Sequence, residues 1–144
     1  MAARILALLE SGENSDQVAA SLNRSGHHVT VSKTFTNAIR MLQHQHFDLV
    51  ISDVHLENGG NVFDFLRWVR RNASTRQTPF VMFSCQPTTL AKYVEDGVRT
   101  AARMLGSSKF ITMHTFDSNE FRKQIESLLP DANQAKELST KGKQ

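Results

Sequence analysis

The stretch Phe47-Asp48-Leu49-Val50-Ile51-Ser52-Asp53, running on into Val54-His55-Leu56-Glu57-Asn58-Gly59-Gly60, decides how this chain is read. An apolar, β-branched run ends in an acid, and a glycine pair follows. A run with no solvent-facing alternation in its middle predicts a central strand of a parallel sheet, covered on both faces. Asp53 then stands at the carboxyl end of that strand, the edge where open α/β sheets collect ligands and chemistry. A carboxylate in that place is a metal ligand, a nucleophile or a cap on the following loop.

Working outward, the same punctuation repeats. Arg4 to Leu9 reads as a first buried strand ending in Glu10-Ser11-Gly12. Asn14 and Ser15 are candidate caps for a helix carrying Val18, Ala19 and Leu22, with Gly26 where a helix C-terminal glycine belongs. His28 to Val31 alternates as a short edge strand, and Thr34 or Thr36 caps a helix with Phe35, Ala38, Ile39 and Leu42. On the other side, Val62, Phe63, Phe65, Leu66 and Val69 mark an amphipathic helix whose outer face is Arg67, Arg70 and Arg71. A polar loop covers Asn72 to Gln77. Pro79 opens a fourth strand, Phe80 to Phe83, ending at Ser84, and Pro87 suits the first position of a long helix reaching from Leu90 to Leu105. Lys109 to Met113 reads as a fifth strand, and Ser118 caps a last helix with Phe121, Ile125, Leu128 and Leu129, stopped by Pro130. Strand and helix alternate five times with short connections. That predicts an α/β fold, a doubly wound five-stranded parallel sheet in the flavodoxin-like order 2-1-3-4-5.

Composition excludes several classes. The 144 residues, 40% hydrophobic and 22% charged, suit one globular domain, read as residues 1–130 with a polar tail over 131–144. Whether that tail is a terminus or the start of a linker is open. No apolar run approaches the roughly 18–20 residues of a membrane span, and the start lacks a signal-peptide pattern, so the expectation is a cytoplasmic protein. The net charge of +3 gathers at Lys136, Lys141 and Lys143 and around Arg67, Arg70, Arg71 and Arg76 without interleaved aromatics, which argues against nucleic-acid binding. The single cysteine, Cys85, permits no disulfide and reads as a small buried residue after the fourth strand. His27, His28, His44 and His46 have no spacing that argues for a metal site.

The predicted topology brings Glu10, Asp53, Ser84 and the Met113-His114 pair to one edge. Here residues 4 to about 129 resemble the receiver domain of response regulators in two-component signalling. Asp53, within Asp-Leu-Val-Ile-Ser-Asp-Val, matches the phospho-acceptor. Ser84, within Pro-Phe-Val-Met-Phe-Ser-Cys, matches the hydroxyl position, and Phe110 matches the aromatic switch position. The resemblance implies that Asp53 takes a phosphoryl group, with Mg²⁺ held by Glu10, Asp53 and the backbone carbonyl of His55. It implies that Ser84 bonds the new phosphoryl oxygen and frees Phe110 to turn inward. It also implies a histidine kinase or phosphotransfer protein as donor, and a downstream protein reading the face of residues 90–105 and 110–113, with a homodimer as an alternative. On this reading the chain is a switch and not an enzyme, and acts on neither nucleic acid nor membrane.

Four positions depart from the family's pattern. Leu9 stands where the first of two acids belongs, Glu57 where a proline belongs, and Asn61 where a glycine belongs, eight positions after Asp53. Met113 takes the place of the lysine on the fifth strand, with His114 after it in place of proline. His114 is a candidate substitute for that lysine in its protonated form. From Ser84 to Met113 is 29 positions, about two helical turns beyond the family's usual span. These departures keep a second reading open, a pseudo-receiver that binds partners without phosphate. A third, remote from both, is a flavodoxin-like cofactor domain: Asp53-Val54-His55 followed by Gly59 is similar to a cobalamin-binding loop, with its glycine one position late.

Overall fold

The computed structural model describes residues 2–54, 61–85 and 89–129. The tail from Asp131, the loop from His55 to Gly60, which includes Glu57, and Pro87 lie outside the described residues. Five strands form one sheet: β1 (Arg4–Leu8), β2 (His28–Ser32), β3 (Leu49–Asp53), β4 (Phe80–Cys85) and β5 (Lys109–Met113). All neighbours are parallel, in the order β2-β1-β3-β4-β5, as the alternating pattern predicts. The direction of winding reverses between β1 and β3, which places the topological switch point between Glu10 and Asp53.

Five helices cover both faces: α1 (Gly12–Asn23), α2 (Phe35–His44), α3 (Val62–Arg71), α4 (Thr89–Met104) and α5 (Ser118–Glu126). Alternate residues of β1, β3, β4 and β5 feed two cores. Ile5, Ala7 and Leu9 of the first segment join Leu49, Ile51, Val81, Phe83, Ile111 and Met113 under α1 and α5. Leu6, Leu8, Val50, Phe80 and Met82 face α2, α3 and α4. Because both faces are covered, the middle strands carry near-continuous apolar runs, which is why the stretch ending at Asp53 was informative.

The helices start where short polar side chains accept orphan amides. Ser11, one turn earlier than the expected Asn14 or Ser15, caps α1 by accepting from the Asn14 amide at 3.3 Å. Thr34 caps α2. Asp117, not the neighbouring Ser118, caps α5 and accepts from the Glu120 amide at 3.0 Å. Asn61 stands in extended backbone with φ −127° and caps α3, accepting from Phe63 at 2.7 Å. It therefore works as a cap, with no positive-φ turn replacing the family's glycine.

One correction concerns α3. Arg70, read as part of a solvated face, is half-buried and donates to the carbonyl oxygens of Gly106, Arg76 and Thr78 at 2.9, 3.1 and 2.7 Å. Gly106 has φ +102°, and a Cβ there would come within 2.9 Å of Arg70 Nε, so glycine is required both by conformation and by that close approach. At the far side, buried His27 accepts from the Ala3 amide through Nδ1 at 3.1 Å and faces Glu126 through Nε2 at 2.9 Å. It ties the start of β1 to α5. Among the described residues, no helix is long and apolar enough to cross a membrane.

Candidate functional site

Asp53 is the last residue of β3 and half-buried. Its Oδ2 accepts the backbone N–H of Glu10 at 2.9 Å, a bond that crosses the switch point and orients the carboxylate. Burial raises its pKa from 3.8 to about 6. The Glu10 amide pulls it down, the Glu10 carboxylate pushes it up, and the charge of Lys33 lowers it. At neutral pH the group is largely ionised, yet it sits where an anion is poorly solvated. A perturbed acid at the carboxyl edge of a parallel sheet, where open α/β folds collect ligands, makes Asp53 the candidate acid of this site.

Glu10 follows β1 and is partly exposed. Leu9 beside it is fully buried in the apolar cluster under α1 and α5, so the place of the missing acid is filled by core, not by a polar substitute. Glu10 is thus the one acid at the end of β1, and its charge acts on Asp53 across the switch point. Among the described residues no group of three or more His, Cys, Asp or Glu could hold a metal ion. The donor set still fits a hard cation of Mg²⁺ type, which accepts one or two carboxylates and completes its shell with carbonyl oxygens and water. The mutual repulsion and desolvation at Asp53 are what such a cation would offset. The third expected ligand, the His55 carbonyl, lies outside the described residues.

Ser84 belongs to β4 and is half-buried. Asp53 pairs with Phe83, so Ser84 is one row further on and shares the face of Phe80 and Met82. Asp53 shares the other face with Phe83, so the ladder does not pair the two side chains. Phe110 is half-buried on β5 against the α2–α3–α4 core, and the Arg99 guanidinium lies 4.5 Å from its ring centroid. Met113 pairs with Cys85 and is 9% exposed, packed in the core under α1 and α5. It contributes no charge to the edge. His114 follows it and is exposed.

The sequence reading passed over Lys33. Its Nζ donates to Ser15 Oγ at 3.0 Å, and its charge reaches Asp53. The signal was available: a lysine directly after the second strand, in an order that puts that strand two places from Asp53. A hollow of about 410 Å³, lined in part by His46, Asp48, Arg76 and Thr78, opens at the other end of the strands, where His46 and Asp48 already pair at 3.2 Å. It is remote from Glu10 and Asp53.

No protein-family model matches the sequence, and no curated protein matches it. Solved structures do. The chemotaxis response regulator CheY4 of Vibrio cholerae superposes with a TM-score of 0.75 at 22% identity, covering 90% of this chain and 100% of that one. The receiver domain of a sensor histidine kinase from Pseudomonas aeruginosa, solved with a magnesium ion coordinated in its active-site cleft, gives 0.73 at 20% identity over 89% and 98%. NtrX from Brucella abortus gives 0.79 at 21% identity, covering 97% of this chain within 29% of its own length. At these identities the likeness establishes the fold, which is the one seen in the receiver domains of response regulators.

Proposed function

We propose that this chain is a receiver-type signalling switch in which Asp53 accepts a phosphoryl group from a histidine kinase or a phosphotransfer protein. The observation that carries the proposal is the Asp53 carboxylate at the switch point, desolvated yet oriented by the Glu10 amide. Glu10 and Asp53, with the backbone carbonyl of His55, would hold Mg²⁺, which neutralises charge on the incoming phosphoryl group. An Asp53 oxygen forms the bond to phosphorus while the donor's P–N bond breaks. Its electron pair leaves with the imidazole nitrogen, which then takes a proton. The half-buried setting keeps bulk water off the mixed anhydride. Ser84, across the strand ends, donates its hydroxyl to a phosphoryl oxygen, and the movement of β4 reaches Phe110 on β5. A downstream protein, or a second copy of the chain, reads the change on the face of α4 and β5. Such a module turns over no substrate and works in the cytoplasm.

A second reading has its own support. Leu9 and Met113 both lie in the core, so the edge lacks a second acid on β1 and a cation on β5. A pseudo-receiver that binds its partner without phosphate accounts for both. Intact mass after incubation with acetyl phosphate separates the two readings, with and without Mg²⁺, on wild type beside Asp53→Asn. Transfer breaks the donor's P–O bond and releases acetate. A Mg²⁺-dependent gain of one phosphoryl group, lost in the variant, is expected. No gain, with acetyl phosphate or with a kinase, would favour the pseudo-receiver.

A further inference from the structure

Ser32 and Ser52 both pair with Leu8, on either side of β1, and the Leu9 amide continues the ladder to the Ser32 carbonyl at 3.0 Å. The next row across the sheet is therefore Lys33, Leu9 and Asp53. Residues paired laterally in a parallel sheet point to one face. Here that face is the one covered by α1 and α5, as buried Leu9 shows. Lys33 and Asp53 thus flank Leu9 and lean toward the same helix.

Lys33 is anchored in that position. Its Nζ donates to Ser15 Oγ, which in turn donates to the Gly12 carbonyl at 3.0 Å in the first turn of α1, and Ser15 is 5% exposed. Much of the lysine remains in contact with solvent. Among the described residues no ion pair within 4.0 Å joins it to Asp53, so its charge acts across a gap. On the opposite flank, β5 offers buried Met113 and exposed His114.

A phosphoryl group on Asp53 adds further negative charge to an edge that already holds two carboxylates, and cations within reach of its oxygens would bind it with charge-assisted hydrogen bonds. We propose that Lys33 is the phosphoryl-binding cation of this site, reaching it from the β2 side and taking the place of a cation on β5. The inference rests on the acceptor reading of Asp53. It makes the residue after β2, not the residue at the end of β5, the one that senses whether the site is loaded.

The test uses beryllofluoride, which coordinates a carboxylate oxygen in place of a phosphoryl group, with Mg²⁺ present and fluorine NMR to resolve bound from free fluoride. Lys33→Met keeps the apolar stem and removes the charge. It is expected to weaken binding about tenfold or more, whereas Lys33→Arg stays within about threefold of wild type. Ser15→Ala removes the anchor but keeps the charge and is also expected within about threefold. If Lys33→Met binds as wild type does while Asp53→Asn does not bind, the role of Lys33 is overturned and the acceptor reading stands. Equal losses in Lys33→Met and Ser15→Ala would make the tether responsible and overturn the role as well. If wild type takes up no beryllofluoride, both readings fall together.

Discussion

Asp53 carries a stability cost as an anion that most surface aspartates do not. Its folded pKa of about 6 exceeds its ordinary 3.8 because burial and Glu10 disfavour the charge. Between those values the folded state holds more protons than the unfolded one, so stability falls as pH rises from about 4 to about 6 and is level above. Asp53→Asn keeps an oxygen for the Glu10 amide and removes the charge. In a chelating buffer it is expected to be about 2–3 kcal/mol more stable than wild type above pH 6, less whatever solvent screening removes, with the difference vanishing near pH 4. Urea unfolding across that range checks this, and parallel curves for the two proteins would show that Asp53 is solvated after all. Met113 makes the converse point. Its chemistry was readable as the loss of a lysine, but that it would close over as core beside Cys85 depends on register, which one sequence does not display.

Elements were legible where periodicity alone sets them, and less so where one contact decides. The apolar spacing of Val62, Phe65, Leu66 and Val69 located α3, while adjacent candidates such as Asp117 and Ser118 both look like caps until one side chain is seen to accept the Glu120 amide. The join between α4 and β5 was not legible at all. Arg99 lies over the Phe110 ring and donates to its carbonyl oxygen at 3.3 Å, and Thr112 donates through Oγ1 to Glu95 at 2.8 Å. These contacts hold the expected switch aromatic against α4, so any movement of Phe110 must first part it from Arg99. Arg99→Ala is expected to cost about 1 kcal/mol and to speed amide exchange in β5. Arg103→Ala, exposed in the last turn of α4, should stay within about 0.5 kcal/mol of wild type. Equal effects of the two would remove Arg99 from any part in the switch.

At the scale of the molecule, the order β2-β1-β3-β4-β5 followed from alternation and chain length, because right-handed crossovers leave few ways to cover a parallel sheet on both faces. The same order explains why the site was only partly legible. Glu10 and Asp53 are both acids after strands and announce themselves, whereas Lys33 acts two strands away and matters only once the register is known. Glu10 and Asp53 follow β1 and β3, neighbouring strands inside the sheet, so whatever bridges the two carboxylates binds the native state alone and is linked to global unfolding. Mg²⁺ between Glu10 and Asp53 would relieve the repulsion that raises the Asp53 pKa. At about ten times its Kd it is expected to stabilise the protein by about 1.4 kcal/mol, a rise in Tm of about 3–6 °C for a domain of this size. NaCl at matched ionic strength should not reproduce the shift, since screening cannot supply a ligand. Glu10→Gln should reduce it by removing one of the two charges, and Lys33→Met should enlarge it by removing a competing cation. A melting temperature indifferent to Mg²⁺ in all three proteins would mean that the two carboxylates do not form a cation site.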